Sequence, residues 1–336
     1  MASFLIKGGN FFNNIQICLT MSKKIITVFG ATGAQGGGLV RAILADTDSE
    51  FSVRAVTRDT TSDKALALAA LGAEVVAADV DDKETILKAL EGAYGAYFVT
   101  FFWDHFSPDK EFQQARNFAE AAKEAGIQHA IWSTLEDTRQ FMSLDDDRMP
   151  TLQGQYKVPH FDKKGEADAL FTEAGVPTTF LRTSFYWDNF IYFGSGPQKG
   201  PDGKQYLTFP LNNQPMSGIA AEDIGKCAYG VFKKGSELIG KTVGIAGEHL
   251  TGQQMAEKLS KALGIEIIYN NVEPDVYRAF GFPGADDLGN MFQFYRDFAD
   301  EFMAIRPISG AKALNAELLD FDGWLAKYAG KIPITA

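Results

Sequence analysis

Between Lys24 and Arg182 short apolar runs alternate with longer amphipathic stretches, and a glycine marks most of the joints. Lys24 to Phe29 is a β-branched run of the length and composition of a buried parallel strand. The pattern then predicts a helix over 36–44, a strand over 51–57, a helix over 63–71 and a strand over 74–78. It goes on with a helix over 81–90, a strand over 96–99, a helix over 109–125, a strand over 129–133, and a helix over 161–174 leading to a strand that ends near Arg182. Strands alternating with helices of this length require right-handed crossovers and a parallel sheet.

After Arg182 the rhythm changes, because Gly194, Gly196, Pro197, Gly200, Pro201 and Gly203 crowd one aromatic stretch. Residues 216–246 hold a helix and a strand that could return to the sheet, and helices are expected over 251–263 and 286–303. The fold class is therefore α/β, a doubly wound Rossmann-type parallel sheet with a smaller C-terminal α/β lobe. Its expected division is a dinucleotide-binding unit over 22–182, completed by 218–248, and a lobe made of 183–217 and 249–336. Residues 1–21 read as an extension outside the core: they are poor both as a signal peptide and as a transit peptide, and Met21 directly precedes the first strand.

Composition narrows the function. The chain has 336 residues, 46% hydrophobic and 22% charged, as in ordinary globular proteins. Two cysteines, Cys18 and Cys227, leave no disulfide framework and no metal-binding spacing, so the default compartment is the reducing cytoplasm, with the nucleus also open. A formal charge of −11 argues against direct binding of nucleic acid. No apolar run reaches the roughly 18 residues of a membrane span.

The sharpest chemical signal is Gly30-Ala31-Thr32-Gly33-Ala34-Gln35-Gly36, where a strand ends and a helix begins. Glycines there permit a tight turn, let the backbone approach a pyrophosphate and let the helix pack closely, while the helix N-terminus offers amide donors. Arg58 follows the second strand, at the position that selects between the ribose hydroxyl of NAD and the 2'-phosphate of NADP. An arginine suits the phosphate; a solvated loop arginine is the alternative, and Asp59 beside it complicates the choice. Ligands of such sheets lie at the carboxyl ends of the strands, which brings Asp79, Val80 and Asp81 toward the adenine and Val99, Thr100 and Phe101 toward the nicotinamide ribose.

The segments Val28 to Gly37, Val56-Thr57-Arg58, His160 to Glu166 and Gly281 to Ala285 resemble the NmrA-like family of atypical short-chain dehydrogenases/reductases, closest to its NADPH redox-sensor branch, over essentially the whole chain from Ser22. The resemblance implies NADP(H) as cofactor, Lys164 on the nicotinamide ribose, and Tyr186, Trp187, Asp188 and Asn189 over the nicotinamide. In the superfamily a Tyr-x-x-x-Lys pair does the chemistry. Here the pair reads His160-x-x-x-Lys164, which puts ordinary carbonyl reduction in doubt and leaves His160 as the one candidate acid, or as an interface residue. Ser133 resembles the superfamily's carbonyl-orienting serine. Phe101, Phe102, Trp103, Tyr186 and Trp187 line either an aromatic substrate cleft or, as slightly favoured here, the seam between lobes.

The expected function is a redox-sensing, regulatory NADP(H)-binding protein, and the alternative is an NADPH-dependent reductase of a small quinone or enone. A regulatory protein partner and a homodimer are both compatible with this reading.

Overall fold

A computed structural model describes residues 22–334. The reading of residues 1–21 as an extension lies outside the described residues.

The first half runs β1 (Lys24–Val28), α1 (Ala34–Ala45), β2 (Phe51–Thr57), α2 (Asp63–Ala70), β3 (Glu74–Ala77), α3 (Lys83–Ala89), β4 (Gly95–Phe98), α4 (Pro108–Glu124), β5 (His129–Thr134), α5 (Pro159–Glu166), α6 (Asp168–Glu173) and β6 (Thr178–Arg182). The second half runs β7 (Phe185–Tyr186), α7 (Asn189–Tyr192), β8 (Gln198–Lys199), β9 (Gln205–Phe209), β10 (Met216–Ile219), α8 (Ala221–Lys234), β11 (Thr242–Gly244), β12 (Glu248–Leu250), α9 (Gly252–Leu263), β13 (Ile267–Asn271), α10 (Pro274–Arg278), α11 (Ala285–Asp297), α12 (Ala299–Ala304), α13 (Ile308–Leu314) and α14 (Phe321–Tyr328).

Seven strands form one sheet in the order β11-β6-β5-β4-β1-β2-β3. Every pairing in it is parallel. This is the doubly wound arrangement, with its switch point between β1 and β4. Both faces are covered, so neighbours in one strand enter different cores. Tyr97 and Ile131 join the layer of Leu39, Ile224 and Val231, while Phe98 and Trp132 join that of Phe118 and Phe171. Strands buried on both sides must be apolar at successive positions, which is the pattern of their sequence.

The remaining strands make two three-stranded sheets, β12-β10-β7 and β13-β9-β8, over a third core rich in aromatic side chains such as Phe209, Phe292 and Trp324. The chain does not stay in that third core to its end. Ala311 and Leu314 of α13 pack with the sheet layer that holds α8.

Two long helices of the sequence reading are each interrupted. The helix expected over 161–174 breaks at Ala167, where the Thr134 hydroxyl donates to the Lys164 carbonyl at 3.2 Å and to Asp168 Oδ1 at 2.6 Å. A side chain inserted into the ladder is a recognised cause of a helix kink. The helix expected over 286–303 breaks at Phe298 (φ −125°, ψ 36°), outside the helical region.

Candidate dinucleotide site

The glycine turn follows β1 at the switch point. Gly30 adopts φ +65°, a conformation that favours glycine, and a Cβ there would meet Val99 Cγ1 at 2.8 Å. Val99, just after β4, thus adjoins the turn. The Gly33 N–H donates to Gly30 O at 2.9 Å, and the Ala31 N–H donates to Val56 O, tying the turn to β2. Gly30, Gly33 and Ala34 are exposed and Thr32 half-buried, whereas Ala31 and Gly36 are buried. A Cβ on Gly36 would lie 2.5 Å from Gly30 O, so this glycine serves the packing of α1 on the turn. The α1 N-cap, Gly33, supplies no side-chain bond, and the first turn carries no acidic residue. The first amides of α1 and the positive end of its dipole are therefore available to an anion.

Gln35 points from this turn to the ends of the strands. Its Oε1 accepts from the hydroxyls of Tyr97 and of Ser133, the latter at 2.7 Å, and its Nε2 donates to the Tyr186 hydroxyl at 2.5 Å. One carboxamide joins three hydroxyls and locks the turn to β4, β5 and β7. Burial pushes the Tyr97 phenol well up and that of Tyr186 up to about 12, so both hydroxyls stay protonated.

Arg58 leaves the end of β2, 75% exposed, and its Nη1 lies 3.0 Å from Asp104 Oδ2. Asp59 turns the other way. Its carboxylate accepts from the Thr61 N–H at 2.8 Å and the Thr61 hydroxyl at 2.6 Å, and these bonds lower its pKa. The acidic neighbour that complicated the sequence reading is a turn residue.

The loop after β3 is tied to α4. Val80 O accepts from Asn117 Nδ2 at 3.0 Å, and the Asp79 carboxylate accepts from the Asp81 N–H at 2.9 Å. Asp81 binds Gln114 and Lys110, each at 2.8 Å; burial works to raise its carboxyl, and these two partners outweigh it, leaving it below the usual range. Its side chain is thus turned to α4.

After β4 the chain passes through Thr100 to Phe101, which is 52% exposed. Thr100 and Lys164 meet at one point. The Lys164 ammonium donates to Thr100 Oγ1 at 2.6 Å and lies 2.5 Å from Glu111 Oε1, and the Thr100 hydroxyl donates to that same oxygen at 2.5 Å. Glu111, in the first turn of α4, is wholly buried. Sequence reasoning missed it, because an acid in a first helical turn is accounted for by the dipole alone.

His160 shares the inward face of α5 with Lys164, but its ring is committed elsewhere. Nδ1 lies 2.6 Å from Asp287 Oδ1 of α11, and the His160 N–H donates to the other carboxylate oxygen at 3.3 Å. Trp103 and Phe161 flank the ring at centroid distances of 4.8 and 4.7 Å.

The packing of Phe102, Trp103 and Trp187 agrees with the seam, which the sequence reading slightly favoured over a cleft. Trp187 is 1% exposed and packs on Phe321 and Trp324 in the third core, far too enclosed to cover a nicotinamide. Asp188 is spent on the Ala221 N–H at the start of α8, at 2.9 Å. Of the segment 186–189, Tyr186 faces the glycine turn through Gln35, and Asn189 opens α7. Phe102 and Trp103 belong to the seam with His160.

This is a Rossmann-type protein with a glycine turn and an open helix N-terminus at the switch point. The NmrA-like family model matches residues 22–325, and the chain belongs to that family. Two curated relatives are similar along most of their length. The NmrA-like family domain-containing oxidoreductase FrzB of Cladobotryum sp is 28% identical over 306 residues, covering 84% of this chain and 87% of its own. The oxidoreductase malD of Malbranchea aurantiaca is 30% identical over 258 residues, covering 74% and 75%. Among solved structures, NmrA, a negative transcriptional regulator, crystallised with NADP, superposes with a TM-score of 0.74 at 22% identity, covering 92% of this chain and 96% of its own. No helix among the described residues is long and apolar enough to cross a membrane.

Proposed function

We propose that this chain is an NADP(H)-binding, redox-sensing regulatory protein whose conformation or assembly responds to cofactor occupancy. The observation that carries the regulatory part is that a histidine, fastened through Nδ1 to Asp287, stands where the reductase pair has its tyrosine. The His160 ring is bonded to Asp287, and the Ser133 hydroxyl is bonded to Gln35.

The residues fit the cofactor. Gly30 to Gly36 would cradle the pyrophosphate with the amides of α1, and Arg58 would read the 2'-phosphate. Asp79 and Val80 would border the adenine. Val99, Thr100, Phe101 and Lys164 would hold the nicotinamide ribose, with Tyr186 and Asn189 nearby. NmrA has been crystallised with NAD and with NADP, which supports a dinucleotide here, while the choice of NADP rests on Arg58. In this reading 22–182 and 218–248 form the dinucleotide-binding unit, a protein partner or second copy of the chain receives the signal, and the compartment is the cytoplasm. A response of this kind requires the cofactor to bind two states with different affinity.

A second reading, reduction of a small quinone or enone, is favoured by the names of FrzB and malD as oxidoreductases. NADPH would supply the hydride. The deciding experiment follows the NADPH absorbance band with a panel of quinones, enones and aldehydes, alongside calorimetric titration of NADPH and NADP+. Binding without turnover supports the sensor. Saturable consumption that disappears in Lys164→Ala overturns it in favour of the reductase.

A further inference from the structure

We infer that Glu111 is a positioning residue of the cofactor site: it holds the Lys164 ammonium against Thr100 so that one N–H is left for the nicotinamide ribose. This rests on the reading that Lys164 meets that ribose.

An ammonium carries three donors. In Lys164 one goes to Thr100 Oγ1 and one to Glu111 Oε1, and the Thr100 hydroxyl passes its own proton to the same carboxylate oxygen. The three groups close a triangle, and with two donors fixed the direction of the third is fixed as well. The Trp132 ring lies 5.2 Å from Nζ and closes another side.

Removing water makes this arrangement demanding. Glu111 is wholly buried, and Lys164 is 8% exposed. A buried charge is costly unless it is paired, and breaking such a pair leaves the survivor uncompensated. Among the described residues, Glu111 is the one carboxylate within salt-bridge distance of Lys164. The far oxygen, Oε2, makes no hydrogen bond among the described residues and faces His105 Nε2 at 3.7 Å. His105 Nδ1 accepts from the Ser107 N–H at 3.0 Å, so in the neutral ring Nε2 carries the proton. Burial lowers the His105 pKa, which favours that neutral ring. The carboxylate is thus backed by a dipole, and the charge that balances it is the ammonium. A buried acid with one cation, aimed at the place where a cofactor hydroxyl would sit, is the supporting shell a binding site needs for fixed geometry.

The test compares NADPH with 2',5'-ADP, which carries the adenosine half and its phosphate but no nicotinamide ribose. Lys164→Met should weaken NADPH about ten- to a hundredfold and leave 2',5'-ADP within about twofold, as expected for a lost charge-assisted contact. Glu111→Gln should weaken NADPH about three- to tenfold, again sparing 2',5'-ADP, and should add nothing in the Lys164→Met background, since the two act as one unit. Equal losses for both ligands, additive losses in the double variant, or no loss in Glu111→Gln would each overturn the role of Glu111. No loss in Lys164→Met would instead overturn the ribose reading on which it rests. Should Glu111→Gln melt below the assay temperature, Glu111→Asp carries the test: it keeps the charge but draws it back by one methylene, and the same split between the two ligands is expected.

Discussion

His160 and Asp287 lie 127 residues apart and meet at 2.6 Å, joining α5 to the first turn of α11. The resemblance drawn from the sequence puts this histidine at the place of a reductase tyrosine, and in the fold it fastens two parts of the chain together. Asp287→Ala and His160→Ala are each expected to cost about 1–3 kcal/mol of stability, the range for a buried hydrogen bond whose partner is left unpaired. The double variant should cost less than the sum. Urea unfolding of the four proteins measures this. A His160→Ala protein that unfolds like the parent but no longer consumes NADPH with a quinone would return His160 to catalysis.

The glycines of the turn should separate by role. Gly33 is exposed, with φ −91° and ψ −175°, a backbone any residue adopts, so Gly33→Val should fold and lose NADPH because its side chain fills the approach to the pyrophosphate. Gly36 is buried, and its Cβ would press on the turn's own carbonyl. Gly36→Ala should therefore lose about 1–3 kcal/mol of stability as an overpacked contact. Circular dichroism melts and calorimetry on both variants check the split, and undiminished NADPH affinity in Gly33→Val would reject the site.

Asp168 offers a pH signature. Burial pushes its carboxyl up to about 7, against the hydrogen bond from Thr134 and the attraction of Arg182. Between about pH 4, where the unfolded carboxyl ionises, and pH 7 the folded chain keeps a proton that the unfolded chain releases. Stability therefore falls as pH rises through this window and levels off above it, by an amount on the order of a few kcal/mol. Asp168→Asn can still accept from Thr134 and has no proton to lose. The stability of Asp168→Asn minus that of the parent should increase from pH 5 to pH 8 in denaturant titrations; a constant difference would mean the carboxyl ionises normally in the fold.

The parts of this protein that were legible in its sequence are those written locally. β1 to β5 of the main sheet were bounded to within a residue or two, because each is a short run rich in apolar residues, and β3 to β5 are entered through a glycine-marked turn. The glycine turn was legible for the same reason. Arg58 was singled out from its position after a strand, and Lys164 by the resemblance to the NmrA-like family. The small sheets were not resolved: β9 and β13 pair Gln205–Phe209 with Ile267–Asn271, and neither run has a periodicity that announces a partner so distant. Nor could Glu111, Asp104 or Asp287 be found, since each looks like an acid at a helix start or in a loop until the fold brings its cation or ring against it. Trp187 shows the converse, an aromatic residue that the resemblance placed over the nicotinamide and that the fold takes into a core.

The last expectation concerns Arg58 and the acid that now faces it. Both Arg58 and Asp104 are well exposed, so their ion pair is weak and screened by salt, and a phosphate bearing about two negative charges would displace the carboxylate. Asp104 nevertheless competes for the guanidinium and repels the incoming phosphate. Arg58→Ala should weaken NADPH about ten- to a hundredfold while NADH barely moves, as for the loss of a charge-assisted contact. Asp104→Asn should act in the opposite direction, strengthening NADPH about two- to fivefold at low ionic strength, with the gain shrinking as salt shortens the Debye length. In the Arg58→Ala background only the repulsive part of that gain should remain. Titrating both cofactors against the four proteins at two salt concentrations separates the outcomes. Equal losses of NADPH and NADH in Arg58→Ala would make the arginine a support of its loop, and a loss of NADPH affinity in Asp104→Asn would make the ion pair a brace that presents the guanidinium rather than a competitor for it.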